Sequence, residues 1–221
     1  MQRVLEPEAM DTAEEADAYA AMDHREANEA FVARLFALGA SGRMLDIGTG
    51  PGQIPLLVCA RDPAARVLGI DLSENMLRHA RCALAASPFA ARIEYRRGDA
   101  KALALPEASF DTVYSNTILH HIPEPTPFLR EARRVLRSGG VLLIRDLFRP
   151  ATREAAEALV ERHAGDATDA QRALFRDSLC AALTPEELRA TADAAGLGDA
   201  ELSVDTDRHM SLQLRAAPGG A

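Results

Sequence analysis

Short apolar runs alternate with longer segments of helical periodicity through the middle of the chain. The runs are MLDIG (44–48), VLGIDL (67–72), RIEYR (92–96), FDTVYSN (110–116) and VLLIRDL (141–147). Runs of this length, separated by helix-length segments, are typical of a parallel sheet whose strands are joined by helices. We therefore predict an α/β fold built on a doubly wound, mostly parallel sheet.

Two of the segments between the runs have one apolar face, as a helix packed on a sheet requires. In SENMLRHARCAL, Ser73 is a candidate N-cap, and apolar residues recur on one side from Met76 to Leu84. In PTPFLREARRVLRSGG the same periodicity continues toward Gly139 and Gly140. A glycine pair is a usual helix stop, so this helix is predicted to end there.

The regions on either side of the alternation predict additional helices. Residues 26–38 form an amphipathic pattern before the first strand, and two helix patterns joined by GDATD follow the fifth. We divide a single domain into an N-terminal helical cap, a cofactor-binding core, a helical lid and a last helix with C-terminal strands, at residues 1–42, 43–148, 149–183 and 184–217. The first dozen residues and the PGGA tail are predicted to be disordered.

Charge and composition narrow the choice of partners. Lysine and arginine number 25 against 33 acidic residues, and a net charge of -8 gives no general attraction to nucleic acid or anionic lipid. No segment has the length and apolarity of a signal core or a bilayer span. Three well-separated cysteines show no metal-ligand spacing. We predict a cytoplasmic protein that binds a small molecule but no nucleic acid, membrane or metal; its oligomeric state stays open.

Three glycines, Gly48, Gly50 and Gly52, follow the first predicted strand in MLDIGTGPGQIP. In a doubly wound sheet the ligand lies beyond the carboxyl ends of the strands, and the turn after the first strand must let the backbone approach it. The Gly-x-Gly-x-Gly spacing differs from the Gly-x-Gly-x-x-Gly of dinucleotide sites. The turn is therefore predicted to bind a ligand other than a dinucleotide.

Polar groups also follow the next three strands. Asp71 closes the second, where a carboxylate can accept from both hydroxyls of a ribose. After the third, Asp99 can accept from an exocyclic amine while the backbone N–H of Ala100 donates to a ring nitrogen, and Asn116 ends the fourth. Signals at four strand ends of one sheet favour a single nucleoside site over four unrelated turn residues.

Residues 45–147 resemble the class I S-adenosylmethionine-dependent methyltransferases. The similarity is carried by LDIGTGPG, GIDLSENML, GDAKALALPEASFD, SNTILHHIPEP and EARRVLRSGGVLLIRD, and it is strongest to the small-molecule branch that includes the quinone-ring C-methyltransferases. It implies a Rossmann-like, seven-stranded sheet with a reversed last strand, which MSLQL can provide. It also implies S-adenosylmethionine as cofactor, with contacts from Gly48, Gly50, Gly52, Asp71, Leu72, Met76, Asp99, Ala100 and Asn116. Asp46 is implied as a further residue of this cofactor site, which orders the glycine turn from beneath.

Catalysis by such a protein depends mainly on how it positions the acceptor relative to the methyl group of the cofactor. A sulfonium methyl group is already activated, and a general base is needed only where the acceptor must lose a proton. His120 and His121 follow the fourth strand on the side where the methyl group is expected, and imidazole titrates near neutrality. We predict both as catalytic residues, with His121 the stronger candidate.

Other polar residues are predicted to lie at the opening of the same site. In related enzymes the segment before the first core helix folds across the cofactor, so Tyr19 is a candidate cofactor contact. Candidates for substrate binding are His24, Arg145, Asp146 and His209, whereas His79 and His163 are interpreted as surface residues without a function.

The predicted function is methyl transfer to a small, partly apolar acceptor, producing S-adenosylhomocysteine. O-, N-, S- and C-methylation all stay open. A noncatalytic S-adenosylmethionine-binding or regulatory module is one alternative. A nicotinamide-dependent reductase is another, although its glycine spacing differs and Asp99 and Ala100 would have no role in it.

Overall fold

A computed structural model describes residues 1–6 and 12–215 of the chain. The helices are α1 (Ala13–Ala20), α2 (Arg25–Ala37), α3 (Gln53–Arg61), α4 (Glu74–Ala85), α5 (Pro125–Val135), α6 (Arg153–Ala164), α7 (Asp169–Ala181) and α8 (Pro185–Ala194). The strands are β1 (Arg43–Ile47), β2 (Arg66–Asp71), β3 (Ile93–Arg97), β4 (Phe110–Asn116), β5 (Leu136–Leu147), β6 (Glu201–Val204) and β7 (His209–Leu214). A 3₁₀ turn spans Leu119–His121.

The strands form one seven-stranded sheet in the order β3-β2-β1-β4-β5-β7-β6. Strands β1 to β5 are parallel, whereas β7 runs antiparallel to both β5 and β6. This confirms the predicted doubly wound sheet and the reversed strand at MSLQL. The order changes direction at β1 and β4, and in folds of this kind a ligand binds beyond the carboxyl ends of the strands at such a point.

Alternate residues of the central strands supply two apolar layers. On β1, Leu45 and Ile47 pack with α5 and α8, whereas Met44 packs with α2, α3 and α4 on the opposite face. Val113 and Tyr114 of β4 separate in the same way. Side chains on a strand alternate between its faces, so a run that is apolar throughout is buried on both sides.

The predicted end of α5 is wrong by several residues. The helix ends at Val135, and β5 already begins at Leu136, which pairs with Phe110 before a register shift. Gly139, with φ +74°, therefore lies inside an irregular strand and does not cap a helix. Both a helix cap and a bulged strand use a residue with positive φ, so the glycine pair alone did not distinguish them.

The N-terminal segment is ordered over residues 1–6, contrary to the prediction. Val4 N donates to Cys180 O at 3.0 Å, and the guanidinium of Arg3 donates to the carbonyl oxygens of Ile122, Pro123 and Ala181 at 2.6–2.9 Å. These bonds tie the segment to α7 and to the 3₁₀ turn. They join residues far apart in sequence, so local composition does not reveal them. Residues 7–11 and the PGGA tail lie outside the described residues.

Helices α6 and α7 lie within residues 149–183, the segment predicted to be a lid. They share a small apolar cluster with the end of β5, in which Leu159, Val160 and Leu179 pack against Leu147. Within the described residues, no helix combines the length and the apolarity that crossing a bilayer requires.

Candidate active site

A cavity of about 620 Å³ lies at the carboxyl ends of the five parallel strands. Its floor consists of residues that end or follow β1, β2, β3, β4 and β5. Residues around the start of α2 form one wall, and α6, α7 and the turn before β7 form the other. The cavity therefore joins the predicted cofactor positions to the predicted acceptor positions.

The glycine turn closes tightly over the end of β2. The backbone N–H groups of Gly48 and Thr49 both donate to Ile70 O, at 2.7 and 2.9 Å. Gly48 has φ +76°, and a Cβ there would lie 2.4 Å from the Ile118 side chain. Gly50 has φ +53° and no heavy atom within 4 Å of a Cβ position, so its missing side chain leaves cavity space.

Gly52 does not line the cavity, although sequence reasoning placed it among the cofactor contacts. It lies behind the turn, where its carbonyl accepts a hydrogen bond of 3.1 Å from the Tyr95 hydroxyl. A Cβ on Gly52 would meet that hydroxyl at 2.4 Å. Gly52 therefore serves the packing of α3 against β3.

Asp71 links the glycine turn to the start of α4. Its Oδ2 accepts from Gly50 N at 2.7 Å and its Oδ1 from Ser73 N at 2.9 Å. Burial raises the pKa of Asp71, while these backbone bonds lower it in part. A carboxylate has about four acceptor directions, so both oxygens retain capacity for ribose hydroxyls. Leu72 and Met76 continue the same wall.

Asp99, Ala100 and Lys101 line the cavity after β3. Asp99 Oδ1 accepts from the backbone N–H of Lys101 at 2.8 Å and lies 3.0 Å from its Nζ. Burial alone would raise the pKa of Asp99, but the hydrogen bonds and charge of Lys101 hold it below its usual value. Sequence reasoning missed Lys101, which pairs with the Asp99 carboxylate at the cavity.

Asp46 lies beneath the turn, where the resemblance implied it, and is outside the cavity lining. It is 1 % exposed, and its Oδ2 accepts from the Thr49 hydroxyl at 2.8 Å. Burial raises the pKa of Asp46 to about 7, although the bond from Thr49 acts in the opposite direction.

The chain turns sharply after Asn116, which lines the cavity. Thr117 has φ +64°, and its N–H donates to Arg145 O at 2.9 Å. A β-branched residue in the left-handed region is strained, by about 1–2 kcal/mol, and such strain concentrates at functional sites. The turn leads directly into Leu119–His121, which brings both predicted catalytic histidines to the cavity.

Asp146 lies behind the cavity wall, contrary to its predicted place among the substrate-binding residues. It is 2 % exposed and outside the cavity lining. Its Oδ1 lies 2.6 Å from His120 Nδ1, and its oxygens also accept from the backbone N–H groups of Leu119 and Leu147. Burial would raise the pKa of Asp146, but His120 and the backbone bonds lower it. Burial alone would lower the pKa of His120, but the charge and hydrogen bond of Asp146 raise it.

Glu6 is a site residue that sequence reasoning missed. Its Oε1 lies 3.3 Å from His120 Nε2 and 3.1 Å from His121 Nδ1, and the Ser178 hydroxyl donates to it at 3.3 Å. Nothing in the local sequence of residues 1–12 marks this position. Glu6, His120 and His121 present three potential metal-ligand atoms within 4.8 Å of one another.

The opposite wall carries two arginines and two histidines, Arg145, Arg208, His163 and His209. His163 lies on an exposed helix surface, as predicted, and this surface borders the cavity. The Nε of Arg145 is buried and has no hydrogen-bond partner among the described residues. Burial and the charges of Arg145 and Arg208 lower the pKa of His209 to about 4, which keeps its imidazole neutral.

Tyr19 and His24 line the cavity from the side of α1 and α2. Their ring centroids are 4.8 Å apart, and His24 Nε2 is buried without a hydrogen-bond partner among the described residues. Burial, and then the charge of Asp71, raise the pKa of Tyr19, so its hydroxyl stays a donor. An unpaired buried nitrogen at a cavity wall is a position for a ligand atom.

Comparison with known proteins agrees with this geometry. Residues 45–144 match the methyltransferase domain family. The chain is 35 % identical over 131 residues to 27-O-demethylrifamycin SV methyltransferase of Amycolatopsis mediterranei, covering 59 % of this chain and 48 % of that protein. It is 32 % identical over 113 residues to the ubiquinone/menaquinone biosynthesis C-methyltransferase UbiE of Geobacter sulfurreducens, covering 51 % and 44 %. The chain thus spans about half the length of these curated relatives.

The fold is also that of solved methyltransferases. A SAM-dependent methyltransferase from Aquifex aeolicus superposes with a TM-score of 0.69 at 17 % identity, over 93 % of this chain and 99 % of that one. Residues 45–144, which match the methyltransferase domain family, contain the glycine turn and the ends of β1 to β4. These parts form most of the floor of the cavity. Residues 45–144 therefore form a methyltransferase domain, and they are similar to class I S-adenosylmethionine-dependent methyltransferases.

Proposed function

We propose that the chain transfers the methyl group of S-adenosylmethionine to a small acceptor that carries an anionic group, releasing S-adenosylhomocysteine. The observation that carries the proposal is the continuity of the cavity. One space connects the glycine turn, Asp71 and Asp99 at one end with His121 and Arg145 at the other.

The floor of the cavity suits each part of the cofactor. Gly50 leaves room for the methionine portion, Asp71 offers carboxylate oxygens to the ribose, and Leu72 and Met76 give an apolar surface to the adenine. Asp99 and the N–H of Ala100 are suited to the adenine edge. The hydroxyl of Tyr19, a residue of the cavity lining, is a candidate donor to the cofactor, and Asn116 is the residue expected beside the reactive sulfonium.

An anionic acceptor is inferred from the balance of charge at the other end. Asp205 is shared by Arg34 at 2.5 Å and Arg145 at 3.8 Å, and Asp207 is shared by Arg162 at 2.8 Å and Arg208 at 3.2 Å. Four guanidinium groups therefore contact two carboxylates, and two of the four, Arg145 and Arg208, line the cavity. A carboxylate or phosphate on the acceptor would pair with these two, since Arg145 Nε lies 3.8 Å from Asp205 and makes no hydrogen bond among the described residues.

The rest of the acceptor would meet apolar and weakly polar groups. Phe175 and Leu174 of α7 line the cavity, and Leu174 is 48 % exposed. His24 and the neutral His209 offer additional hydrogen-bonding nitrogens. These residues favour a partly apolar small molecule over a polymer, since the cavity of about 620 Å³ is of the size that holds a cofactor and a small acceptor.

Transfer would follow from alignment of the two ligands. The acceptor atom attacks the methyl carbon in line with the carbon–sulfur bond, and the bonding electrons leave with sulfur. Holding the reactants in this geometry supplies much of the acceleration. His120 and His121 lie at the end of the cavity where the acceptor atom is expected, and the arrangement leaves O-, N-, S- and C-methylation open.

Two alternatives share parts of this geometry. A noncatalytic S-adenosylmethionine-binding module would use the same floor, and a structure described as a cyclase has a similar fold, with a TM-score of 0.57 at 21 % identity. A nicotinamide-dependent reductase is disfavoured, because its pyrophosphate would need a different glycine spacing.

The predicted cytoplasmic location is supported by three free cysteines, at 59, 82 and 180.

Incubation with methyl-labelled S-adenosylmethionine tests the proposal. We would supply metabolite extract, separated into anionic and neutral fractions, and follow transfer of the label to small molecules. Label incorporated from the anionic fraction supports the proposal, and label incorporated only from the neutral fraction contradicts the anionic acceptor. Calorimetric binding of S-adenosylhomocysteine without any transfer would favour the noncatalytic module, and binding of NAD instead would contradict the whole assignment.

A further inference from the structure

We propose that Glu6, His120 and His121 form a binding site for a divalent first-row transition metal ion at the acceptor end of the cavity. This goes beyond the proposed function, because cation binding requires no methyl transfer. Two imidazole nitrogens and one carboxylate are ligands that Zn²⁺, Fe²⁺, Co²⁺ and Ni²⁺ accept in proteins.

The two separations that involve Glu6 fit one shared ion, and all three ligand atoms lie within 4.8 Å of one another. Ligand atoms around a tetrahedral ion at bond lengths of about 2.1 Å lie about 3.4 Å apart. Glu6 Oε1 lies 3.3 Å from His120 Nε2 and 3.1 Å from His121 Nδ1. The two imidazole rings are neighbours, with centroids 4.2 Å apart and an interplanar angle of 36°, and each has one nitrogen close to the Glu6 carboxylate.

The surroundings of His120 match those of a metal-bound histidine. Such histidines usually donate their other ring nitrogen to a carboxylate, which fixes the ring and its tautomer. Asp146 occupies Nδ1 of His120 at 2.6 Å and is itself held by backbone N–H groups. Only Nε2 of His120 is then left for an ion, and it is the atom that faces Glu6.

The third ligand is brought in by a specifically anchored segment. The Arg3 guanidinium donates to backbone carbonyls of the 3₁₀ turn region and of α7, and Val4 pairs with Cys180. Ser178 then donates to the Glu6 carboxylate at 3.3 Å. These contacts place a largely buried charge against two histidines, which is costly unless the charge is paired or binds a metal.

The site keeps an open side toward the cavity. The His121 side chain is 17 % exposed and lines the cavity, whereas that of His120 is 3 % exposed. Three protein ligands with one free position are the usual arrangement of a site that also binds a substrate atom. With its Nδ1 on the cation, His121 would be a ligand, and this replaces the general-base role predicted from the sequence.

Metal binding by the untagged, full-length chain tests the proposal. After treatment with a chelator, Zn²⁺ binding would be measured by calorimetry and Co²⁺ binding by its visible absorption. We expect one ion per chain, bound at least about 10-fold more weakly by Glu6→Gln and by His121→Asn. Asp146→Asn removes no metal ligand but alters the group that accepts from His120, and it should weaken binding by about 10- to 100-fold.

His79→Asn is the matched control, because His79 Nε2 lies 2.7 Å from Asp17 in a pair on the protein surface. It should leave metal affinity unchanged. A wild-type chain that takes up neither ion, or a Glu6→Gln variant with wild-type affinity, would overturn the site. Binding of S-adenosylhomocysteine, measured on the same samples, reports separately on the proposed function, and thermal melting identifies any variant that fails to fold.

Discussion

Nδ1 of His120 lies 2.6 Å from Oδ1 of Asp146, and both side chains are almost completely buried. This contact connects the 3₁₀ turn after β4 to the end of β5. Because the Asp146 oxygens also accept from the backbone of Leu119 and Leu147, the carboxylate fixes the backbone of both segments. The position of the acceptor end therefore depends on a polar contact beneath the cavity.

Removal of the imidazole should destabilise the fold strongly. In His120→Ala the Asp146 carboxylate stays buried without its charged partner, and breaking such a pair costs about 3–5 kcal/mol. The loss would be measured as the free energy of unfolding in urea. His79→Ala, which removes the exposed pair with Asp17, should cost less than about 1 kcal/mol. Equal losses in the two variants would mean that the backbone bonds alone hold Asp146.

Asp71 should contribute directly to cofactor affinity. Asp71→Ala removes acceptors for the ribose hydroxyls and should weaken binding of S-adenosylhomocysteine by about 1.5–3 kcal/mol, the range for hydrogen bonds to a charged group. Calorimetry measures the change. The control is Asp62→Ala, since Asp62 also accepts from a backbone N–H in an exposed turn but lies outside the cavity lining. Unchanged affinity in Asp71→Ala would place the ribose elsewhere.

A methyl group on Gly50 should impair binding more than stability. Gly50 and Gly196 both have positive φ and open space around a Cβ position, but only Gly50 lines the cavity. Alanine at either position should cost a similar backbone strain of about 1–2 kcal/mol. Only Gly50→Ala should also lower the affinity for S-adenosylhomocysteine, as measured by calorimetry. Similar affinities in the two variants would show that the backbone at Gly50 does not approach the cofactor.

The sheet was predictable from sequence because its signals are local. Apolar runs, the Ser73 cap and the glycine turn each lie within a few residues, and the strands occur where these patterns place them. The acceptor end was predicted less well. Asp146 is held by His120, which is 26 residues away, and Glu6 reaches the site through contacts that span more than 110 residues. No periodicity in the sequence reports such contacts.

Asp46 should make stability depend on pH near neutrality. Its folded-state pKa, raised by burial to about 7, lies above the value of 3.8 expected for the unfolded chain, so its contribution to stability is complete below about pH 4 and is lost as pH rises through 7. Asp46→Asn cannot ionise and should lack this loss. One pKa unit corresponds to about 1.4 kcal/mol. Between pH 5 and pH 8, the free energy of unfolding of the wild type should therefore fall by more than about 1 kcal/mol relative to that of Asp46→Asn.

Urea unfolding at both pH values measures that difference, with Asp62→Asn as a control for an exposed carboxylate. We expect the stability of Asp46→Asn relative to wild type to increase at the higher pH. Parallel pH profiles of the two proteins would show that Asp46 is ionised throughout, with its charge balanced within the glycine turn.

The lid should be the region most affected by ligands. Helices α6 and α7 share only a small apolar cluster with the end of β5, and α7 leaves Leu174 largely exposed at the cavity. Segments with few buried contacts open most readily, and lids come from them. Binding of cofactor and acceptor should cover this surface, so backbone hydrogen exchange over residues 149–183 should slow when both are present.

The N-terminal segment sharpens this prediction because it is bonded to α7. Val4 N donates to Cys180 O, so opening of α7 must break or carry along that contact. Protection of Val4 should therefore rise together with that of the lid, whereas α5, whose apolar face is fully buried in the sheet layer, should exchange at the same rate with and without ligands. Slowing of α5 to the same extent would indicate general stabilisation by binding. Identical exchange in all three regions would mean that α6 and α7 are a fixed wall, and the acceptor would then have to enter between the start of α2 and the turn before β7.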